Sequence, residues 1–306
     1  MRIRRFPFHA MGSPCVIQLA DEVGSEEIAR GAIEEVGRLE ARYTRFRSTS
    51  VTSAINRSAG DRNGIELDAE TAALLDYAAI AHRESDGLFD VTSGVLREVW
   101  DFRSGRTPTQ REIDGVLPRI GWEKVEWDSP RVVLPRLGMQ IDLGGVVKEY
   151  AADRVAELCR TNGARHGLVD LGGDIAVVGP RPGDRAWGIG IRDPRRPDRA
   201  IASVELCKGA IASSGDYERF MLVDGVRYCH ILSPKTGWPV HGLAAVSVVA
   251  PHCVVAGSAA TIGMLRPESA ARAWLAELAL PALCIDAQRG MTGALAAPPR
   301  ADAAHA

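Results

Sequence analysis

Residues 228–240 read YCHILSPKTGWPV, which sets His230 among strand-forming residues directly ahead of a Pro-Lys-Thr-Gly turn and a further proline. A neutral imidazole, with a reference pKa of ~6.5, suits proton transfer near neutral pH. The position alone does not separate that role from a structural histidine. A second chemical signal lies in MQIDLGGVVKEYAADRVAELCRTNG, residues 139–163. It reads as a strand, an Asp-Leu-Gly-Gly turn and a helix closed by Asn162-Gly163. Glycines at a helix start expose unpaired N–H groups, and the helix dipole favours an anion there, so a phosphate is a natural guest. Lys148, in the first helical turn, has the charge and reach to meet a phosphate oxygen. Asp142 would repel that phosphate unless it binds a ribose hydroxyl, a base edge or a cation. The same residues also fit a tight turn with a surface lysine. The spacing is not Gly-x-Gly-x-x-Gly, so a Rossmann dinucleotide site is not supported. Asp90 and Thr92 in GLFDVTSG suit either helix caps or polar contacts of a ligand loop. No Gly-x-Ser-x-Gly elbow occurs, and the Ser, His and Asp residues form no recognisable nucleophile set.

These residues sit in a chain of 306 residues, 46% hydrophobic and 25% charged, the composition of a globular enzyme with a sizeable core. A net charge of −2 implies no nucleic-acid surface, and the local clusters Arg2/Arg4/Arg5 and Arg192/Arg195/Arg196 read as solvated faces. Six cysteines without CxxC spacing argue against zinc and for a reducing compartment. No apolar run reaches ~18 residues, so no membrane span is expected. The N-terminus lacks the apolar core of a secretion signal, and cytoplasmic residence is the expectation.

Two strands are predicted around AMGSP, helices over 24–41, 69–84, 254–265 and 268–279, and a short helix after a Ser50 cap. Residues 85–102 read as a loop entering a helix, 121–142 as short strands, 167–179 as a second strand with a DLGG ending, and 186–232 as successive antiparallel strands. The two DLGG words lie too close together for a duplicated domain. Helices and strands mix without strict alternation, which predicts an α+β fold with mainly antiparallel sheets. Residues 1–289 are expected to form one domain, with two lobes around a nucleotide cleft, and 290–306 a flexible tail.

Taken in order, AMGSP, YTRFRSTSVTSAINRSAG, SDGLFDVTSG, IDLGGVVKEYAADRV, VDLGGDIAVVG, SSGDYERF, CHILSPKTGWPV and AGSAATIGML resemble the FAD:protein FMN transferase family, the ApbE-like flavin transferases. The resemblance runs from Met11 to about Leu265. It implies binding of FAD with a divalent metal, Mg²⁺, cleavage of the pyrophosphate with release of AMP, and transfer of FMN to a Ser or Thr of an acceptor flavoprotein. Some family members only hydrolyse FAD to FMN and AMP. Carried over, it sets Met11 and Phe46 against the flavin nucleotide and makes Leu88, Phe89 and Asp90 another wall. It has Asp142 and Ile231 contact FAD, turns Lys148 toward the phosphates and makes His230 a general base. Metal ligands would be the Gly145 carbonyl, the Ala260 carbonyl nearby, and Thr261.

The chain departs from the family pattern in three places. Gly257 replaces a metal-binding Asp, Ser233 replaces the Asp of His-Ile-x-Asp-Pro, and Glu149 stands in the usual Lys-Gly-Tyr. Losing a carboxylate from a hard-cation site is serious, and a weakened flavin-binding relative is one outcome. Glu149 lies four residues after Gly145, on the same helical face and leaning toward it. This predicts that Glu149 supplies the missing ligand in place of a side chain at 257.

Overall fold

The structure is a computed structural model and describes residues 1–296. The chain opens with the hairpin β1 (Ile3–Ala10) and β2 (Ser13–Ala20), turning through Met11 and Gly12, both at positive φ. Helix α1 (Ser25–Tyr43) buries Ala29, Ala32, Val36 and Leu39, an i, i+3, i+4 stripe. In α2 (Val51–Arg57) the Ser50 hydroxyl accepts the Ser53 N–H at 3.0 Å, the expected cap. The short strand β3 (Ile65–Glu66) precedes α3 (Ala69–Glu84), capped by Asp68. Residues Val91–Glu98 then form a 3₁₀ helix, followed by α4 (Gln110–Val116), β4 (Glu126–Asp128) and β5 (Arg131–Val133). After α5 (Val147–Thr161) come β6 (Gly167–Leu171), β7 (Asp174–Gly179), β8 (Trp187–Asp193), β9 (Arg196–Leu206) and β10 (Ala210–Gly215). The hairpin β11 (Phe220–Val223) and β12 (Val226–Cys229) leads to β13 (Ala245–Ala250), α6 (Cys253–Leu265), α7 (Glu268–Glu277), β14 (Ala282–Ile285) and β15 (Met291–Thr292).

The α+β architecture with antiparallel pairing is as the sequence predicts. An eight-stranded sheet runs β1-β2-β6-β7-β10-β13-β14-β15. Both faces of its central strands are buried. Val169, Leu171, Ala176 and Val178 pack toward α1, α5 and α6, while Leu168, Ile175 and Val177 pack against Trp187, Ile189 and Ile191 of the β8–β9 hairpin. Covering both faces explains why β7 reads Asp-Ile-Ala-Val-Val without the polar alternation of a half-exposed strand. A separate core of Val95, Leu96, Trp100, Ile113, Val116, Ile120 and Met221 joins the 3₁₀ helix, α4 and β11.

Three expectations change. Residues 139–142 form no strand; instead the Asn56 side chain accepts the Ile141 N–H (2.7 Å) and donates to the Ile141 carbonyl (3.0 Å). One amide thus does locally what a neighbouring strand would do. The helix expected within 85–102 is 3₁₀. Order also continues past Arg289, because Met291 and Thr292 pair with Ile285 and Cys284; residues 297–306 of the expected tail lie outside the described residues. Among the described residues no helix is long and apolar enough to cross a membrane. Five cysteines are buried as expected, and Cys207 is exposed.

Helix α6 has no cap of its own, and Asp153 of α5 supplies one by accepting the Cys253 and Val254 N–H groups at 2.7 and 2.9 Å. Asp153→Ala is expected to lower stability by about 1–2 kcal/mol, read as a lower urea midpoint with unchanged slope.

Candidate active site

A cavity of about 1670 Å³ opens where the loops at one end of the large sheet face the 3₁₀ helix and the segment after β12. It exceeds the ~300–1,000 Å³ of pockets for drug-sized ligands. Met11, Phe46, Leu88, Phe89, Asp90 and Asp142 all line it. So do Gly145, Lys148, Glu149, His230, Ile231 and Thr261. Gly257 and Ala260 are buried in α6 behind its wall.

His230 stands one residue past β12, a small correction to its expected place on the strand. Its mount is rigid for identifiable reasons. Trp100 stacks on Phe102 and contacts Tyr228 and Trp238, and the Trp100 indole N–H donates to the Gly237 carbonyl at 2.7 Å. Gly237 has φ +73 and a Cβ there would lie 2.5 Å from Ile113, so only glycine fits the Pro-Lys-Thr-Gly turn against this core. The Ser233 hydroxyl accepts the Lys235 and Thr236 N–H groups at 3.3 Å, a turn-capping role that an Asp at this position would also fill. The backbone N–H of His230 donates to the Arg219 carbonyl at 2.9 Å, and Nδ1 lies 3.1 Å from the same oxygen. A carbonyl only accepts, so Nδ1 carries the proton and Nε2 keeps its lone pair. Burial, reinforced by the charges of Arg219, Arg97 and Lys148, lowers the imidazole pKa to about 4.

The Asp-Leu-Gly-Gly corner is bound more tightly into the protein than its sequence suggests. Asp142 accepts the Gly144 N–H at 2.9 Å with one oxygen and pairs with Arg45 at 3.2 Å and Arg97 at 3.8 Å through the other. Lys148 is not a free surface lysine, because its ammonium lies 2.7 Å from the buried carboxylate of Asp174. Burial works to lower the Lys148 pKa, but Asp174 and Glu149 outweigh it and hold the ammonium above its ordinary range. The Asp90 carboxylate takes the cap role, accepting the Thr92 N–H (2.8 Å) and hydroxyl (2.6 Å) and the Trp122 N–H (3.0 Å). That bracing fixes the Leu88-Phe89 wall, with the Phe89 N–H also donating to Ser85 Oγ at 2.8 Å. Phe46 is 87% exposed at the rim, its ring under the Arg45 guanidinium.

Glu149 is buried, and its Oε2 has no hydrogen-bond partner. Burial, followed by the nearby Asp174 carboxylate, raises its pKa. A Cβ at Gly257 would fall 2.5 Å from Glu149 Cγ and 3.0 Å from Oε1, so the glutamate fills the space that a side chain at 257 would need. Thr261, one helical turn after Gly257 on the same face, accompanies it, and its hydroxyl lies 2.9 Å from Ser214 Oγ. Two buried carboxylates beside one ammonium, with hydroxyls at hand and one oxygen unpartnered, suit a hard divalent cation.

Sequence reasoning did not single out Arg45, Arg97, Asp174 or Arg219. Asp174 directly follows the second DLGG word, the one local feature that marks it. The arginines carry no local pattern; only the fold brings them to one cavity.

The ApbE family model matches residues 11–284. The FAD:protein FMN transferase of Treponema pallidum is 32% identical over 276 residues, covering 82% of this chain and 75% of the relative. The ApbE protein crystal structure from Thermotoga maritima superposes with a TM-score of 0.89 at 30% identity, covering 95% of this chain and 97% of that one. The apo flavinyl transferase ApbE of Pseudomonas stutzeri matches with a TM-score of 0.84 at 25% identity, covering 97% and 98%.

The contact between positions 149 and 257 can be read thermodynamically. Gly257→Ala is expected to cost about 1–3 kcal/mol in urea unfolding through overpacking. In a Glu149→Ala background the penalty should vanish, giving a coupling of at least about 1 kcal/mol. Additive losses would show that Glu149 does not occupy this space.

Proposed function

This chain belongs to the ApbE family, and on that footing we propose that it transfers the FMN portion of FAD to a Ser or Thr hydroxyl of an acceptor flavoprotein, releasing AMP. The observation that carries the reading is His230, whose unprotonated Nε2 stands in the same cavity as the Glu149, Asp174 and Thr261 cluster. The cavity is large enough for a dinucleotide and offers Phe89, Leu88, Met11 and Ile231 as apolar surfaces for the flavin. His230 Nε2 takes the proton of the acceptor hydroxyl. The acceptor oxygen bonds to the FMN phosphorus, the bridging P–O bond breaks, and its electron pair leaves with AMP. The Nδ1–H bond to Arg219 holds the ring in the tautomer this requires.

Glu149, Asp174 and Thr261, with the Gly145 and Ala260 carbonyls as further candidates, would hold Mg²⁺, which when bound neutralises charge on the phosphates and orients the leaving group. In this reading Gly257 contributes space rather than a ligand. Lys148 holds Asp174 in place and adds positive charge at the helix start.

Incubation with FAD, Mg²⁺ and an acceptor flavoprotein is expected to yield a covalently flavinylated acceptor and AMP. AMP with free FMN would instead mark a pyrophosphatase, and bound but intact FAD a non-catalytic binder. His230→Ala is expected to reduce transfer by about 10²–10⁴-fold while FAD affinity is retained.

Imidazole titration by NMR is expected to place His230 near pH 4 in the free protein. Its folded pKa lies below the unfolded ~6.5, so the unfolded state binds the proton more readily. This group therefore favours unfolding progressively as pH falls from 6.5 toward 4. Glu149→Gln is expected to weaken Mg²⁺ binding at least about tenfold by calorimetry. Unchanged Mg²⁺ affinity would remove Glu149 from the ligand set.

A further inference from the structure

Resting on the reading of the ligand as FAD, we infer that Arg97 and Arg219 form a two-sided clamp for its diphosphate, with Asp142 and Arg45 setting the position of Arg97. The cations of the cavity differ in how far neighbouring acids already satisfy them. Lys148 is committed to Asp174 at 2.7 Å, and Arg192 to Glu218 at 3.0 Å. Arg45 is anchored twice, donating to the Gly94 carbonyl at 2.9 Å and to Asp142 at 3.2 Å. Arg97 reaches the same Asp142 oxygen only at 3.8 Å, beyond hydrogen-bond distance. One carboxylate therefore serves two guanidinium groups and leaves one positive charge over.

Arg219 adds a second. Among the described residues its guanidinium makes no hydrogen bond or ion pair, although its carbonyl accepts from the backbone N–H and the Nδ1–H of His230. Its Nη2 would lie 3.3 Å from a Cβ at Gly12, so the guanidinium sits across the cavity against the β1–β2 turn beside Met11. Arg97 and Arg219 both act electrostatically on His230, so the surplus is concentrated around the imidazole. A diphosphate diester carries one negative charge on each phosphate and matches this surplus. Guanidinium groups suit it because they present paired N–H donors to phosphate oxygens. Gly94 makes the arrangement possible: a Cβ there would lie 2.5 Å from the Asp142 Cβ and force Asp142 away from the arginines.

The test compares ligands with and without the diphosphate in metal-free buffer, using the full chain. Affinities for FAD, ADP and riboflavin are measured by calorimetry for the wild type, Arg97→Gln, Arg219→Gln and Arg219→Lys. Both Gln variants are expected to lose about tenfold or more in affinity for ADP and FAD, with riboflavin within about twofold of wild type. Arg219→Lys should fall between, because the charge remains but the paired donors do not. ADP and FAD affinities unchanged in both Gln variants, or losses equal to those for riboflavin, would overturn the clamp. Wild-type protein that binds no FAD would overturn the reading beneath it; wild-type protein that binds FAD while the variants bind ADP normally would sink the clamp alone.

Discussion

Two carboxylates, Glu149 and Asp174, are buried beside a single ammonium, that of Lys148. Charge taken from water must be compensated locally, and one ammonium cannot balance two carboxylates. The deficit is met by a proton, which the raised pKa of Glu149 expresses, or by a cation. The scaffold does not relax to remove it. Asp174 begins β7, a strand covered on both faces, and Glu149 sits in the first turn of α5, which Asp153 ties to α6. The demand for positive charge is therefore built into buried, cross-braced secondary structure and exists before any ligand arrives.

The imidazole is mounted differently. The residues around His230 divide between two cores: Tyr228 and Leu232 pack against the core around Trp100, while Cys229 and Ile231 belong to the core on the helical side of the large sheet. The imidazole is therefore seated where these two cores meet. The Asp-Leu-Gly-Gly corner is tied down by its own contacts: Asn56 with Ile141, the Asp142 N–H with the Val91 carbonyl, and the Asp142 carboxylate with Arg45.

Much of this was legible in the chain because it is local. The opening hairpin, the stripe of α1, the Ser50 cap and the turn after His230 follow from residues within a few positions of one another. The supposed strand at 139–142 misled because its partner is the side chain of Asn56, not another strand. Asp142 and Lys148 were found, but their partners were not: Arg45, Arg97 and Asp174 are ordinary surface-type residues in sequence, and their meaning comes from long-range approach. Glu149 was reachable because helical spacing alone directs it toward Gly145. That it packs on Gly257 required the fold.

The packing of Glu149 on Gly257 also makes the two positions interdependent. Any side chain at 257 would crowd the present glutamate, and without that glutamate Asp174 would be left as the one buried carboxylate beside Lys148. A change at either position therefore alters both the packing and the charge that the other meets.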